Sequence, residues 1–109
     1  MKALIHVGEK SQWNIAVGNT KNLKVIHPNA NVIIVVNSVA VRIFETPSDE
    51  LTEQLKILHD LNAVVKLCKN ALNSNNIDED NLPEFTEVVP AGIAEIVERQ
   101  NEGYAYVSP

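Results

Sequence analysis

The sequence predicts an α/β protein: a three-layer α/β/α sandwich around a mainly parallel sheet of about five strands. Three observations carry this prediction. The runs KALIHV (2–7) and NVIIVVN (31–37) are apolar nearly throughout instead of alternating, as strands covered on both faces are. The segments between such runs show helical periodicity. The first three runs begin roughly 30 residues apart, the length of a βαβ unit, whose crossover is nearly always right-handed.

KALIHV is the first strand. SQWNIAVGNTKNLKVI (11–26) follows as a helix with Ser11 as its N-cap; Trp13, Val17 and Thr20 share one side, with Ala16 and Leu23 beside them. Gly18 costs that helix about 1 kcal/mol against alanine, so close packing is the expected reason for it. NVIIVVN is richest in β-branched residues and is the clearest strand. NSVAVRIF (37–44) then continues the apolar run where a polar loop belongs. Val39, Val41, Ile43 and Phe44 are either buried within the subunit or meet another copy of the chain. Self-association into a symmetric homo-oligomer is the expectation, with these four as interface candidates.

In the second helix Thr46 caps, Pro47 takes the first helical position and Asp49 suits the positive end, with Leu51, Leu55 and Leu58 at i, i+4 and i+7. AVVKLC (63–68) is the third strand, and KNALNSN after it can form a short helix. NSNNIDEDNLPEF (73–85) reads as a solvated acidic loop anchored by Leu82 and Phe85; Asp78, Glu79 and Asp80 lack EF-hand spacing. TEVV (86–89) is the fourth strand. The last helix runs from about Pro90 to Glu102 on a stripe of Ile93, Ile96 and Val97, with Gly103 as its C-terminal left-handed residue. YAYV (104–107) is a short fifth strand.

With 109 residues the chain suits one domain, residues 1–109. Apolar residues at 45% and charged residues at 21% argue against disorder. A net charge of −5 opposes binding to nucleic acid, which rests largely on Lys and Arg at phosphates. No apolar run approaches the roughly 20 residues of a bilayer span. The apolar part of MKALIHVGEK is short for a signal peptide, and a single cysteine makes no internal disulfide, so a reducing cytoplasm is the expected location.

Chemistry centres on that cysteine, Cys68, at the carboxyl end of the third strand, the edge where ligands gather in such sheets. Two readings stand. Free cysteine is among the most buried residue types and often merely packs. Alternatively, Lys66, Lys69 and the N–H groups of the following helix stabilise a thiolate or persulfide, and Asn70 donates a hydrogen bond to it. Glu9 and Trp13 line a cleft with Cys68 if strands one and three are neighbours, and Asn37, ending strand two, is a further cleft candidate. His6 lies inside strand one as a neutral, hydrogen-bonded imidazole, while His27 and His59 sit at helix ends. None has a second ligand at metal spacing, so no metal is expected. VGEKSQW (7–13) is neither a Walker loop nor G-x-G-x-x-G, which disfavours a nucleotide or flavin; no cofactor is expected.

CKNAL (68–72), NTKNLKVI (19–26) and VVPAGIAEIVERQNEGYAYVSP (88–109) together resemble the DsrE-like family of small α/β proteins, over nearly the whole chain. The resemblance implies a flavodoxin-like three-layer fold and assembly into trimers or hexamers. In some relatives persulfide sulfur passes along a relay through a cysteine at the position Cys68 matches. Relatives often carry glycines after strand two, where this chain has Asn37, Ser38 and Ala40, a less permissive backbone. Two functions follow: a sulfur carrier acting through Cys68 between donor and acceptor proteins, or a non-catalytic homo-oligomeric module that binds a small ligand or a protein, with Cys68 structural.

Overall fold

The apolar runs become strands at almost the residues the pattern predicts. In the computed structural model, which describes residues 1–109, β1 spans Lys2–Val7, β2 Asn31–Val36, β3 Ala63–Cys68, β4 Thr86–Val89 and β5 Ala105–Val107. Every pairing is parallel, in the order β4-β3-β2-β1-β5. The register sets Val36 opposite Leu67 and Cys68 opposite Val89, so β2, β3 and β4 end close together on one edge.

The helices are α1 (Trp13–Ile26), α2 (Asp49–Asp60), α3 (Lys69–Ser74) and α4 (Gly92–Asn101). From β1 to β4 each crossover steps to the next strand in one direction, so the right-handed rule puts α1, α2 and α3 on one face. The β4–β5 connection steps back past three strands, and the same rule puts α4 on the other face. The result is the flavodoxin-like three-layer arrangement with unequal layers. The larger core gathers Val32, Ile34 and Val36 of β2 with Trp13, Val17, Leu51, Leu55 and Leu58. The smaller one holds only Leu4, Ile33, Val35 and Ile96. Both faces of β2 are thus covered, which is why its sequence does not alternate.

The helix ends move from their predicted positions. Ser11 does not cap α1; it lies in a 3-10 turn, Lys10–Gln12. Gln12 occupies the cap, and its Oε1 accepts from the Gly8 and Glu9 N–H groups at 2.8 and 3.0 Å. At α2 the cap is Ser48 instead of Thr46: its Oγ accepts from the Leu51 N–H at 3.1 Å, and Pro47 precedes the helix. Gly18 has no packing reason, since nothing lies within 4 Å of where its Cβ would stand. Gly103 does take a left-handed φ of 97°. The Gly103 N–H donates to the Gln100 carbonyl and the Tyr104 N–H to the Arg99 carbonyl, the Schellman pattern.

Two apolar predictions are corrected by packing. In NSVAVRIF, now a 3-10 helix over Ser38–Phe44, the residues Ala40, Val41 and Phe44 are fully buried, and Phe44 meets Trp13 edge-on at 5.2 Å. Val41 and Phe44 belong to the subunit's own core and offer nothing to a partner; Ile43 packs partly against the same core, and Val39 stays exposed. On α4 only Ile96 of the predicted stripe is buried, while Ile93 is 67% and Val97 50% exposed. That helix crosses the sheet alone, and besides Ile96 it buries Gly92 and Glu95.

Candidate functional site

The loops leaving β1, β2 and β3 turn toward the α1–α3 face, and the loop leaving β4 turns toward α4. Between the carboxyl ends of β3 and β4 the chain parts in opposite directions, and a crevice is expected there. A cleft of about 480 Å³ occupies this place. Its walls are Asn37 and Ser38 after β2, Cys68 and Asn70 at the β3–α3 junction, and Gly92 and Ile93 at the start of α4.

Cys68 is both the last residue of β3 and the N-cap of α3. Its Sγ accepts from the Ala71 N–H at 3.4 Å, the part a serine or aspartate oxygen usually plays. The residue is only 6% exposed and touches the larger core, yet it also lines the cleft. Cys68 thus packs against the core while its sulfur has an amide donor and borders the cleft. Opposite it, Gly92 brings α4 unusually close, and the cap residue Ala91 supplies no side-chain hydrogen bond to that helix end. Ser38 adopts a left-handed φ of 53°, a conformation that glycine takes without strain.

The lysines do not stand where the sequence puts them. Strand alternation turns Lys66 toward α4, where its ammonium pairs with the largely buried carboxylate of Glu95. Glu95 also lies 3.6 Å from Arg99 Nε. Lys69 starts the exposed side of α3 and reaches Glu79 at 3.7 Å. The donor in contact with Sγ is the Ala71 amide, while both ammonium groups have carboxylate partners. Asn70 is exposed at the cleft rim.

Of the three cleft candidates, Asn37 lines the cleft and Glu9 and Trp13 do not. β2 separates β1 from β3, which removes the condition on which that prediction rested. Trp13 is buried against Phe44 and donates its Nε1–H to Gln54 Oε1 at 2.9 Å; Glu9 is exposed. His6 is hydrogen-bonded as its place in a strand suggests: Nδ1 lies 2.7 Å from the Tyr106 hydroxyl and Nε2 2.8 Å from Asn37 Oδ1. Nothing in the residue pattern indicates that His6 leads to the cleft or that Gly92 walls it. The only available signal for Gly92 was a glycine opening a helix where an ordinary N1 residue would serve. No group of three or more His, Cys, Asp and Glu side chains is assembled to hold a metal. No helix is long and apolar enough to cross a membrane.

Residues 19–109 match the model of the DsrE/DsrF-like family. The fold is similar to that of MTH1491, a protein of unknown function from Methanobacterium thermoautotrophicum, with a TM-score of 0.88 and 26% identity over 99% of this chain and 98% of that one. It is also similar to the ychN protein from E.coli, with a TM-score of 0.76 and 20% identity over 100% of both chains. A third likeness is BT1422, a conserved protein of unknown function from Bacteroides thetaiotaomicron, with a TM-score of 0.78 and 13% identity over 99% of this chain and 94% of that one. At these two lower identities the likeness is one of fold alone. No curated protein matches the chain.

Proposed function

The chain belongs to the DsrE/DsrF-like family, and from that premise we propose that it is a sulfur carrier whose Cys68 holds persulfide sulfur between a donor and an acceptor protein. The observation that supports this reading is the position of Cys68, at the β3–β4 parting of the sheet, on a cleft and with an amide donor at its sulfur. In the reaction the Cys68 thiolate attacks the outer sulfur of a donor persulfide, R–S–SH. A bond forms between Sγ and that sulfur, the R–S bond to it breaks, and R–S⁻ leaves with the electron pair. An acceptor thiolate then takes the outer sulfur in the same way and returns Cys68 as a thiolate. The chain has one cysteine, so release cannot proceed through an internal disulfide and the acceptor is another molecule or subunit. The Ala71 N–H donates to Sγ at 3.4 Å.

Assembly into a trimer or hexamer belongs to the same proposal. Val39, Ile93 and Val97 supply exposed apolar surface around the cleft mouth and along α4, and a contact there would enclose the sulfur. A reducing cytoplasm is the location that suits a free carrier thiol.

The deep burial of Cys68 favours a second reading: a non-catalytic homo-oligomeric module whose cleft binds a small ligand or a protein segment, with the thiol as wall. Intact-mass measurement after incubation with a persulfide donor separates the two. Gain of one sulfur atom at Cys68, lost on adding an acceptor thiol, is the carrier outcome. No gain in the folded protein, together with fast alkylation only after unfolding, removes it and leaves the module.

A further inference from the structure

Polar side chains on adjacent strands form one line from the sheet edge to the cleft. Tyr106 on β5, His6 on β1 and Asn37 just after β2 are joined in that order, the hydroxyl to Nδ1 at 2.7 Å and Nε2 to Oδ1 at 2.8 Å. A neutral imidazole has one donor nitrogen and one acceptor nitrogen. An amide oxygen can only accept, so the nitrogen facing Asn37 Oδ1, Nε2, carries a proton, and in the neutral ring Nδ1 then accepts from the Tyr106 hydroxyl. With Oδ1 occupied in this way, the Nδ2–H groups of Asn37 are left to serve another acceptor, and Asn37 is a wall of the cleft. The same side chain stands across Gly92 from the thiol: a Cβ on Gly92 would lie 3.1 Å from Asn37 Cβ and 3.3 Å from Cys68 Cβ. The Asn37 backbone is held as well, its N–H donating to the Val7 carbonyl at 3.0 Å.

A negative sulfur group in a largely buried place needs donors. The nearby ammonium groups of Lys66 and Lys69 have carboxylate partners. The Ala71 N–H serves Sγ itself. An outer sulfur bonded to Sγ stands one bond further on and needs a donor of its own.

We infer that Asn37 supplies that donor to an anionic sulfur group at Cys68, and that His6, set by Tyr106, is the positioning residue that points the Asn37 amide N–H groups into the cleft. The ligand class, a persulfide or thiolate anion, rests on the carrier reading; the test does not. In the unmodified protein labelled with ¹⁵N, the His6 ring nitrogens report the tautomer by NMR. The expected ring carries a proton on Nε2. A proton on Nδ1 alone would mean that Asn37 turns its oxygen to the cleft, and would overturn the inference.

The second arm compares alkylation of Cys68 by anionic iodoacetate and by neutral iodoacetamide. His6→Leu and Asn37→Leu are expected to lower the iodoacetate-to-iodoacetamide rate ratio about tenfold, the size of one hydrogen bond to a charged group. His6→Gln, which keeps an N–H near the Nε2 position, is expected to restore most of it. Tyr106→Phe removes only the hydroxyl of an exposed residue, so it serves as a folded variant; it is expected to move the tautomer balance and lower the ratio in the same direction. Ratios unchanged in all four variants would overturn the inference even if Cys68 takes up sulfur. If it takes up none, the carrier reading falls while the tautomer and the ratios still decide the roles of Asn37 and His6.

Discussion

Gly92 and Cys68 are packed so closely that a methyl group on the glycine would lie 3.3 Å from the Cys68 Cβ, and 3.1 Å from that of Asn37. Both neighbours are atoms next to the backbone, which no side-chain rotation can clear. Gly92→Ala is therefore expected to push the start of α4 off the sheet, at a cost of about 1–3 kcal/mol in chemical denaturation. The same displacement widens the cleft, so native-state alkylation of Cys68 is expected to quicken. Unchanged stability and an unchanged alkylation rate would show that the close approach has no consequence.

The Lys66–Glu95 pair holds α4 to β3 in a poorly solvated place, with the two side chains 15% and 9% exposed. Removing one partner of a buried pair costs on the order of 3 kcal/mol, because the other charge is left uncompensated. The two single changes are unequal. After Lys66→Met the Glu95 carboxylate keeps Arg99, whereas after Glu95→Leu the Lys66 ammonium keeps no carboxylate partner. Denaturation curves are expected to rank Glu95→Leu as the more damaging, with the double change less damaging than the sum. Alkylation of Cys68 is expected to be the same in Lys66→Met as in the parent; a clear slowing would return that lysine to the thiol's surroundings.

Ser38 holds a left-handed φ of 53° beside the cleft. A side chain there costs about 1–2 kcal/mol, against which glycine loses about 0.5–1 kcal/mol in the unfolded chain. Ser38→Gly is expected to raise stability by about 0.5 kcal/mol, seen as a higher denaturation midpoint at constant slope. A loss of stability would mean that the serine side chain contributes more than its backbone conformation costs.

The apolar segment 38–44 divides into residues with different consequences. Phe44 is fully buried against Trp13, so Phe44→Ala is expected to cost about 3–5 kcal/mol. Val39, Ile93 and Val97 are half or more exposed, so their combined change to serine is expected to alter subunit stability little. If the chain assembles through this surface as proposed, the triple change is expected to lower the particle mass in solution, read by light scattering. A particle mass unchanged from the parent's would refute assembly through this surface.

Much of this architecture is readable along the chain, and for a local reason. The continuous β-branched run over residues 31–36 needs cover on both faces, and both faces are covered. Leu51, Leu55 and Leu58 at helical spacing are all buried. Gly103 ends α4 in the left-handed conformation that its place after the apolar stripe suggests. Cys68 at the end of β3 is legible for the same reason, since strand ends follow from where apolar patterning stops. Helix starts are less so: Thr46 and Ser48 are equally able to accept a backbone N–H, and only the path of the chain from β2 chooses between them.

The sequence by itself determined the strands, the helices and the thiol at a sheet edge, because burial and periodicity are properties of neighbouring residues. The tertiary structure alone decided what surrounds that thiol. Placing β2 between β1 and β3 took Glu9 and Trp13 away from it, and the backward step from β4 to β5 brought Gly92 and Glu95 across the sheet. Those partners come from segments far apart in the chain, and the direction in which each crossover steps is not written in the period of any one of them.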